Sequence, residues 1–129
     1  MGQIEIIVRA LIKNKNSILL CKNKNKDYYF LPGGHIEFGE TLEEALKREI
    51  EEEANLKINK AKLLFVLENF FEQNNKLVHE INFVFEAKVN KQKFTIKENH
   101  LEINWFSQKE IAKLNVLPLE IKKFLMKYV

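Results

Sequence analysis

Three glutamates, Glu49, Glu52 and Glu53, fall close together a short distance after the pair Gly33-Gly34. At about 100° per residue, Leu42, Ala45, Leu46, Glu49 and Glu53 lie on one helical stripe with Glu52 on its edge, so an apolar face becomes a carboxylate face along its length. Like charges at these spacings repel by about 0.2–0.5 kcal/mol per pair. They also sit in a last helical turn, whose partial negative charge costs an exposed acid about a further 0.3–1 kcal/mol. A helix shaped only by stability would carry Lys there. Glu43 with Lys47 and Glu44 with Arg48, by contrast, are ordinary i,i+4 pairs of a solvated face. A divalent cation reverses the sign of the unfavourable terms, and Mg²⁺ is commonly held by one or two carboxylates together with water and substrate phosphates. Acids on a core-facing stripe beside a Gly-Gly break therefore suggest a metal and phosphate site; the plain alternative is that Glu is simply a common helix former.

Several elements must position these groups. Thr41 and Glu44 form a capping box, and Leu42, Ala45, Leu46 and Ile50 follow at helical spacing, which predicts a helix from about 42 to 54. Asn55 is its expected stop, because Asn tolerates the left-handed conformation that closes helices. Upstream, residues 4–12 and 17–21 read as two strands of a hairpin around the polar residues 13–16. Residues 22–27 form a solvated loop, and Tyr28 to Leu31 lead into the break at Pro32-Gly33-Gly34. Downstream, residues 62–71 and 77–89 read as an antiparallel pair around Gln73-Asn74-Asn75, with Ile81, Phe83 and Phe85 alternating onto one face. Leu101, Ile103 and Trp105 alternate likewise, Ser107 with Glu110 caps a further helix, and a last one carries Ile121, Leu125 and Tyr128 after Pro118. The expected class is α/β, helices packed on a sheet, in one domain over residues 1–129.

Composition narrows the function. The 129 residues are 46% hydrophobic and 30% charged, an ordinary globular mixture, and the longest apolar run, residues 63–67, is far short of a membrane span. No basic segment leading into an apolar secretory core opens the chain, so a cytoplasmic location and no membrane partner are expected. The single cysteine, Cys21, cannot form an internal disulfide, and His35, His79 and His100 show no zinc-ligand spacing. A net charge of +3 is too small to argue for a stable nucleic-acid partner.

The residues from 34 to 56 resemble the Nudix box, G-x5-E-x7-R-E-U-x-E-E-x-G-U with U a bulky aliphatic. Gly34 is followed after five residues by Glu40, and after seven more by Arg48-Glu49-Ile50-Glu51-Glu52-Glu53-Ala54-Asn55-Leu56. Asn55 alone departs, standing where the pattern has Gly. The resemblance implies a Nudix-type α/β/α sandwich with a mixed β-sheet that holds Mg²⁺ or Mn²⁺ and hydrolyses nucleoside diphosphates linked to another group. It implies that Glu49, Glu52 and Glu53 bind metal, that the Gly34 carbonyl is a further ligand, and that Glu40 is an indirect or water-mediated one. Arg48 would orient the acids through salt bridges, as its planar fork suits, and Gly33 and Gly34 would let backbone approach the site. Two acids compete for the role of general base, Glu49 and Glu102.

Outside the box, Tyr28 and Phe30 lie close enough in sequence to border the site and stack a base, or belong to the core. Lys22 occupies a place where many relatives carry a phosphate-contacting base. His79 shares strand parity with Ile81, so it is either a hydrogen-bonded core-edge residue or points into the pocket. Arg9 is open in the same way, and Phe70 and Phe71 suit a pocket rim or a contact in a homodimer. The expected reaction is Mg²⁺-dependent cleavage within a diphosphate, a nucleoside triphosphate pyrophosphohydrolase of the housecleaning kind. Hydrolysis of dinucleoside polyphosphates, ADP-ribose or nucleotide sugars, and a non-catalytic nucleotide-binding module, are the alternatives.

Overall fold

The computed structural model describes residues 2–91 and 93–128; Met1 and Val129, the ends of the expected 1–129 unit, and Gln92 lie outside the described residues. In chain order the elements are β1 (Gln3–Asn14), β2 (Ser17–Asn23), β3 (Tyr29–Phe30), β4 (Gly33–His35), α1 (Leu42–Ala54), β5 (Ile58–Gln73), β6 (Lys76–Val89), β7 (Leu101–Ser107), α2 (Gln108–Lys113) and α3 (Leu119–Lys127). Among the described residues, seven strands form a mixed sheet in the order β3-β2-β1-β6-β5, with β4 paired to β1 and β7 to β2.

Strand β1 is shared between two halves of the sheet. Its first ten residues pair in parallel with β6, from Gln3 opposite Val78 to Ile12 opposite Ala87, and Ile7, Val8 and Arg9 pair with β4 on the other side. The expected hairpin with β2 survives only at its tip, Lys13 opposite Ile18 and Asn14 opposite Ser17. Beyond that β2 turns away to pair with β7 along its whole length. The divergence of β2 from β1 opens the cleft that holds the site.

Alternation along β1 feeds two cores. Val8, Ala10 and Ile12 pack with Ala45, Leu46 and Ile50 of α1. Leu11 packs with Val84 on the opposite face, under Ile111 of α2 and Ile121 and Leu125 of α3. Helices thus cover both faces of the sheet, the α/β sandwich expected. Each fully buried Leu or Ile contributes about 1.5–3 kcal/mol, so α1 is anchored by its apolar stripe and its polar end is free to serve the site.

The break at residues 32–34, where the backbone can turn sharply or approach a ligand, leads straight into pairing with β1. Gly33–His35 is a short strand against β1. A side chain at Gly33 would place its Cβ 1.9 Å from the Val8 carbonyl oxygen, and the φ of 150° there suits only glycine. Glycine therefore serves close strand approach and not only reversal. The β5–β6 pair turns through Asn74 and Asn75 with φ of 53° and 62°, the left-handed pair a tight hairpin needs.

Candidate active site

Helix α1 runs over Leu42–Ala54, with the Thr41–Glu44 capping box formed in both directions and Asn55 left-handed at its end, φ 56° and ψ 39°. Ala45, Leu46, Ile50 and Ala54 are buried, and so is Glu53, at 7% exposure. The transition from apolar to carboxylate stripe is therefore real: the last turn pushes an acid into the protein. The backbone N–H of Gly33 donates to Glu53 Oε1 at 3.1 Å. A Cβ on Gly34 would lie 2.5 Å from the carboxylate carbon of Glu49, so the bare backbone of β4 is what gives Glu49 room.

Arg48 holds three of the acids. Its Nε and Nη2 donate to the two oxygens of Glu40 at 2.6 and 2.9 Å, a bidentate pair. Nη1 donates to Glu49 at 3.1 Å and Glu52 at 3.3 Å, and Nη2 also reaches the carbonyl of His35 at 3.1 Å. Glu40 additionally accepts from the backbone N–H of Glu37 at 2.9 Å. These bonds, Arg48 foremost, hold the Glu40 carboxyl below its ordinary range. Both Glu40 oxygens are engaged by the protein, so the structure places it as the clamp on Arg48.

The buried acids respond in the opposite direction. Loss of solvent raises the Glu49 carboxyl against the opposing pull of Arg48. Burial, then the charge of Glu49, pushes Glu53 up to about 8, although the Gly33 N–H and Arg9 oppose the change. Two carboxylates forced together away from water form a site poised for a cation, which would remove their repulsion.

Glu49 and Glu53 border one open cavity of about 380 Å³, together with Gly34, Arg9 and Glu98. Glu98 arrives there because the segment before β7 docks on the end of α1: the N–H of Thr95 donates to the Ala54 carbonyl at 2.9 Å, and that of Lys97 to the Glu53 carbonyl at 3.5 Å. Its charge adds to the upward push on both Glu49 and Glu53. Sequence reasoning missed Glu98, which stands in no periodic element; its only signal is being an acid between the box and the last strand. Glu52 is 56% exposed at its side chain and turned to Arg48. Among the described residues, no set of three His, Cys, Asp or Glu side chains surrounds a common point. The converging donors are the two carboxylates of Glu49 and Glu53, hard oxygen ligands in a number that suits Mg²⁺ completed by water and phosphate.

Glu102 is not brought to this cavity. On β7, Leu101 and Ile103 face the α1 core, so Glu102 faces the other way, exposed and 4.0 Å from Lys22 Nζ. Lys22 itself donates to the Lys26 carbonyl at 2.9 Å, away from the acids. Nor does His79 point into the cleft. Its ring stacks on Phe70 at 4.2 Å and its Nε2 meets Glu68 at 2.9 Å, on the outer part of the sheet. In each case strand parity fixed the face without revealing which face lines the cleft.

A second cavity, about 580 Å³, adjoins the first and is walled by Tyr28, Phe30 and Phe71, with Leu117–Pro118 at the start of α3 on its far side. Phe30 lines both cavities and Tyr28 only the second, and of the phenylalanine pair it is Phe71 that reaches a pocket, whereas Phe70 is 68% exposed. Four residues, Arg9, Asn23, Phe30 and Glu80, line both cavities and mark their junction. The Arg9 guanidinium lies 5.5 Å from the centre of the Phe30 ring.

The model of one family, the NUDIX domain, matches residues 4–128. This chain belongs to the NUDIX family. A Methanocaldococcus jannaschii protein named ADP-ribose pyrophosphatase is 35% identical over 112 residues, which are 84% of this chain and 65% of that one. The chain therefore spans just under two thirds of that relative's length. An Escherichia fergusonii protein named nucleoside triphosphatase NudI is 27% identical over 122 residues, 85% of this chain and 86% of the relative. In three dimensions the chain superposes on the MutT NUDIX hydrolase of Burkholderia pseudomallei with a TM-score of 0.80 at 25% identity, covering 98% of each. The MutT protein of Methanosarcina mazei gives 0.70 at 27% identity, covering 96% of this chain and 91% of the other. No helix among the described residues is long and apolar enough to cross a membrane.

Proposed function

We propose that this chain, read as one hydrolase unit, cleaves the diphosphate linkage of a nucleoside diphosphate derivative. The observation that carries the reading is the pair of desolvated carboxylates, Glu49 and Glu53, opening on a cavity continuous with an aromatic-walled one. The smaller cavity is sized and charged for a cation-bound diphosphate, and the larger one for its organic group. Glu49 and Glu53 are the ligands in this reading, with the Gly34 carbonyl and Glu52 as further donors. Mg²⁺ or Mn²⁺ bound there would neutralise the diphosphate and lower the pKa of an attacking water.

The protein's own groups supply the rest. Arg48 fixes Glu49 and Glu52 through one guanidinium, so the acids need no reorganisation when substrate arrives. Glu98, half-buried in the same cavity, takes the proton of the attacking water as general base in this reading; Glu102, exposed beside Lys22, does not line that cavity. Water oxygen bonds to phosphorus, the bridging P–O bond breaks, and the leaving group departs as a phosphate. Arg9 meets the negative charge from the junction side.

For the attached group, the relative named ADP-ribose pyrophosphatase supports a ribonucleotide sugar, and the one named nucleoside triphosphatase supports a nucleoside triphosphate. The test is incubation of metal-stripped protein with nucleoside triphosphates, oxidised nucleotides, dinucleoside polyphosphates, ADP-ribose and nucleotide sugars, with and without Mg²⁺, and identification of products by mass. Cleavage within a diphosphate only when Mg²⁺ is present is the expected result. Folded protein that binds a nucleotide and cleaves none of them would favour the binding-module reading.

A further inference from the structure

A carboxylate stands where the substrate's negative charge would pass. Glu80, on β6, borders both cavities, as Arg9 does on the neighbouring strand β1. Between them lies Asn82, wholly buried at 0% exposure. Its Oδ1 accepts from Arg9 Nε at 3.3 Å and its Nδ2 donates to Glu80 Oε1 at 3.3 Å. Asn69 of β5 donates to the same Glu80 oxygen at 3.4 Å, and Arg9 is tied at its other end to the Leu31 carbonyl at 3.1 Å. One cation and one acceptor are thus held in fixed relation by a buried amide. Two amides occupy Glu80 Oε1, while Oε2 has no bond or ion pair among the described residues.

An acid beside a diphosphate is unfavourable unless it accepts hydrogen bonds from the same ligand. In a nucleoside diphosphate derivative the covalent order is diphosphate, sugar, base. With the diphosphate at Glu49 and Glu53 and the base among Tyr28, Phe30 and Phe71, the unit at the junction is the sugar. Its hydroxyls are donors, and a fixed carboxylate is the usual acceptor for a ribose hydroxyl. We infer that Glu80 is a specificity-determining residue that accepts from the sugar hydroxyls, so that the site selects ribose over deoxyribose. The inference rests on the hydrolase reading above and adds the class of sugar to it.

The network predicts how two variants differ. Glu80→Ala removes the acceptor. In Glu80→Gln, Asn69 and Asn82 retain the amide oxygen at the Oε1 position, which turns the NH₂ toward the cleft. A hydroxyl can still accept from that group, whereas an N–H donor of a base cannot.

The test compares ATP with 2′-deoxy-ATP and 3′-deoxy-ATP, and GTP with ITP, which lacks the exocyclic amine, all in Mg²⁺. Steady-state rates are measured alongside calorimetric binding of AMP and 2′-deoxy-AMP. In the wild type, loss of one sugar hydroxyl should raise KM about 10–100-fold, the range for a lost hydrogen bond to a charged group, with kcat changed less than about threefold. Glu80→Ala should bring ribo and deoxy forms within about twofold of each other, and Glu80→Gln should fall between. A folding defect would change all nucleotides alike and leave the ratio intact. Equal use of ribo and deoxy forms by the wild type, or an unchanged ratio in Glu80→Ala, overturns the assignment while the hydrolase reading stands. A GTP-to-ITP ratio that collapses in both variants while the sugar ratio holds transfers Glu80 to the base and also overturns it. Failure of every nucleotide to bind or react removes the hydrolase reading and this assignment with it.

Discussion

Replacing Glu53 with Gln should make the metal-free protein more stable at alkaline pH while abolishing its metal-dependent reaction. The side chain is 7% exposed and its carboxyl is pushed from an ordinary 4.5 up to about 8, chiefly by burial and then by the charge of Glu49. A carboxyl raised on folding favours the fold in its protonated form. Its contribution is therefore present in full below about pH 4.5 and is lost as pH rises through about 8. The full difference corresponds to an upper bound of about 5 kcal/mol. Adjustment of Glu49 and entry of water reduce it, and about 2–3 kcal/mol is the working figure. Gln keeps the size and the oxygen that accepts from the Gly33 N–H at 3.1 Å, so the variant should not lose that bond. Thermal unfolding in EDTA should show wild type and variant nearly coincident at pH 5. By pH 9 the variant should melt about 6–12 °C higher, on the usual scaling for a domain of this size. Saturating Mg²⁺ should raise the wild-type midpoint and leave the variant's almost unmoved. Parallel midpoints for the two proteins from pH 5 to 9 would refute the assignment of Glu53 as the buried, proton-binding acid.

Other substitutions probe the remaining parts of the site. Arg48→Ala releases Glu40, Glu49 and Glu52 together, and turnover should fall at least about 100-fold; Arg48→Lys should rescue little of it, because an ammonium cannot reproduce the bidentate bond to Glu40. Gly34→Ala drives a methyl group into the Glu49 carboxylate, so Mg²⁺ should bind at least about tenfold more weakly by titration calorimetry while circular dichroism stays native. Glu98→Gln should reduce kcat by about 10²–10⁴ and Glu102→Gln by less than about threefold; the reverse order would return the base to β7. Asn55→Gly, at a left-handed position, should raise stability by a few tenths up to about 1 kcal/mol in denaturant titration, with kcat unchanged.

Much of the site's frame was legible in the residues themselves because it is local. The bounds of α1, both capping boxes and the left-handed end at Asn55 follow from contacts three or four residues apart, which sequence spacing encodes directly. The same holds for the stripe that carries Glu49 and Glu53 and for the box from Gly34 to Leu56, which identify the family before any coordinate is considered. The α/β class followed likewise from two periodicities, helical and alternating.

Tertiary structure decided which of the remaining candidates meet. Alternation placed Glu102 and His79 on definite faces, but a strand has two faces and the sequence does not say which one lines a cleft; the pairing of β7 with β2 turns Glu102 away. Glu98 reached the acids through backbone bonds from the segment before β7 to the end of α1, between positions some forty residues apart that share no pattern. Arg9, Asn82 and Glu80 became one unit only because β1 and β6 lie parallel in register, a long-range pairing that leaves no mark in either strand alone. The sequence by itself determined the helix, its caps and the chemistry of the donors, since these depend on neighbours along the chain. The cleft, and the presence of Glu80 and Glu98 in its wall, depend on which strands pair, and that is settled by the packing of the whole sheet.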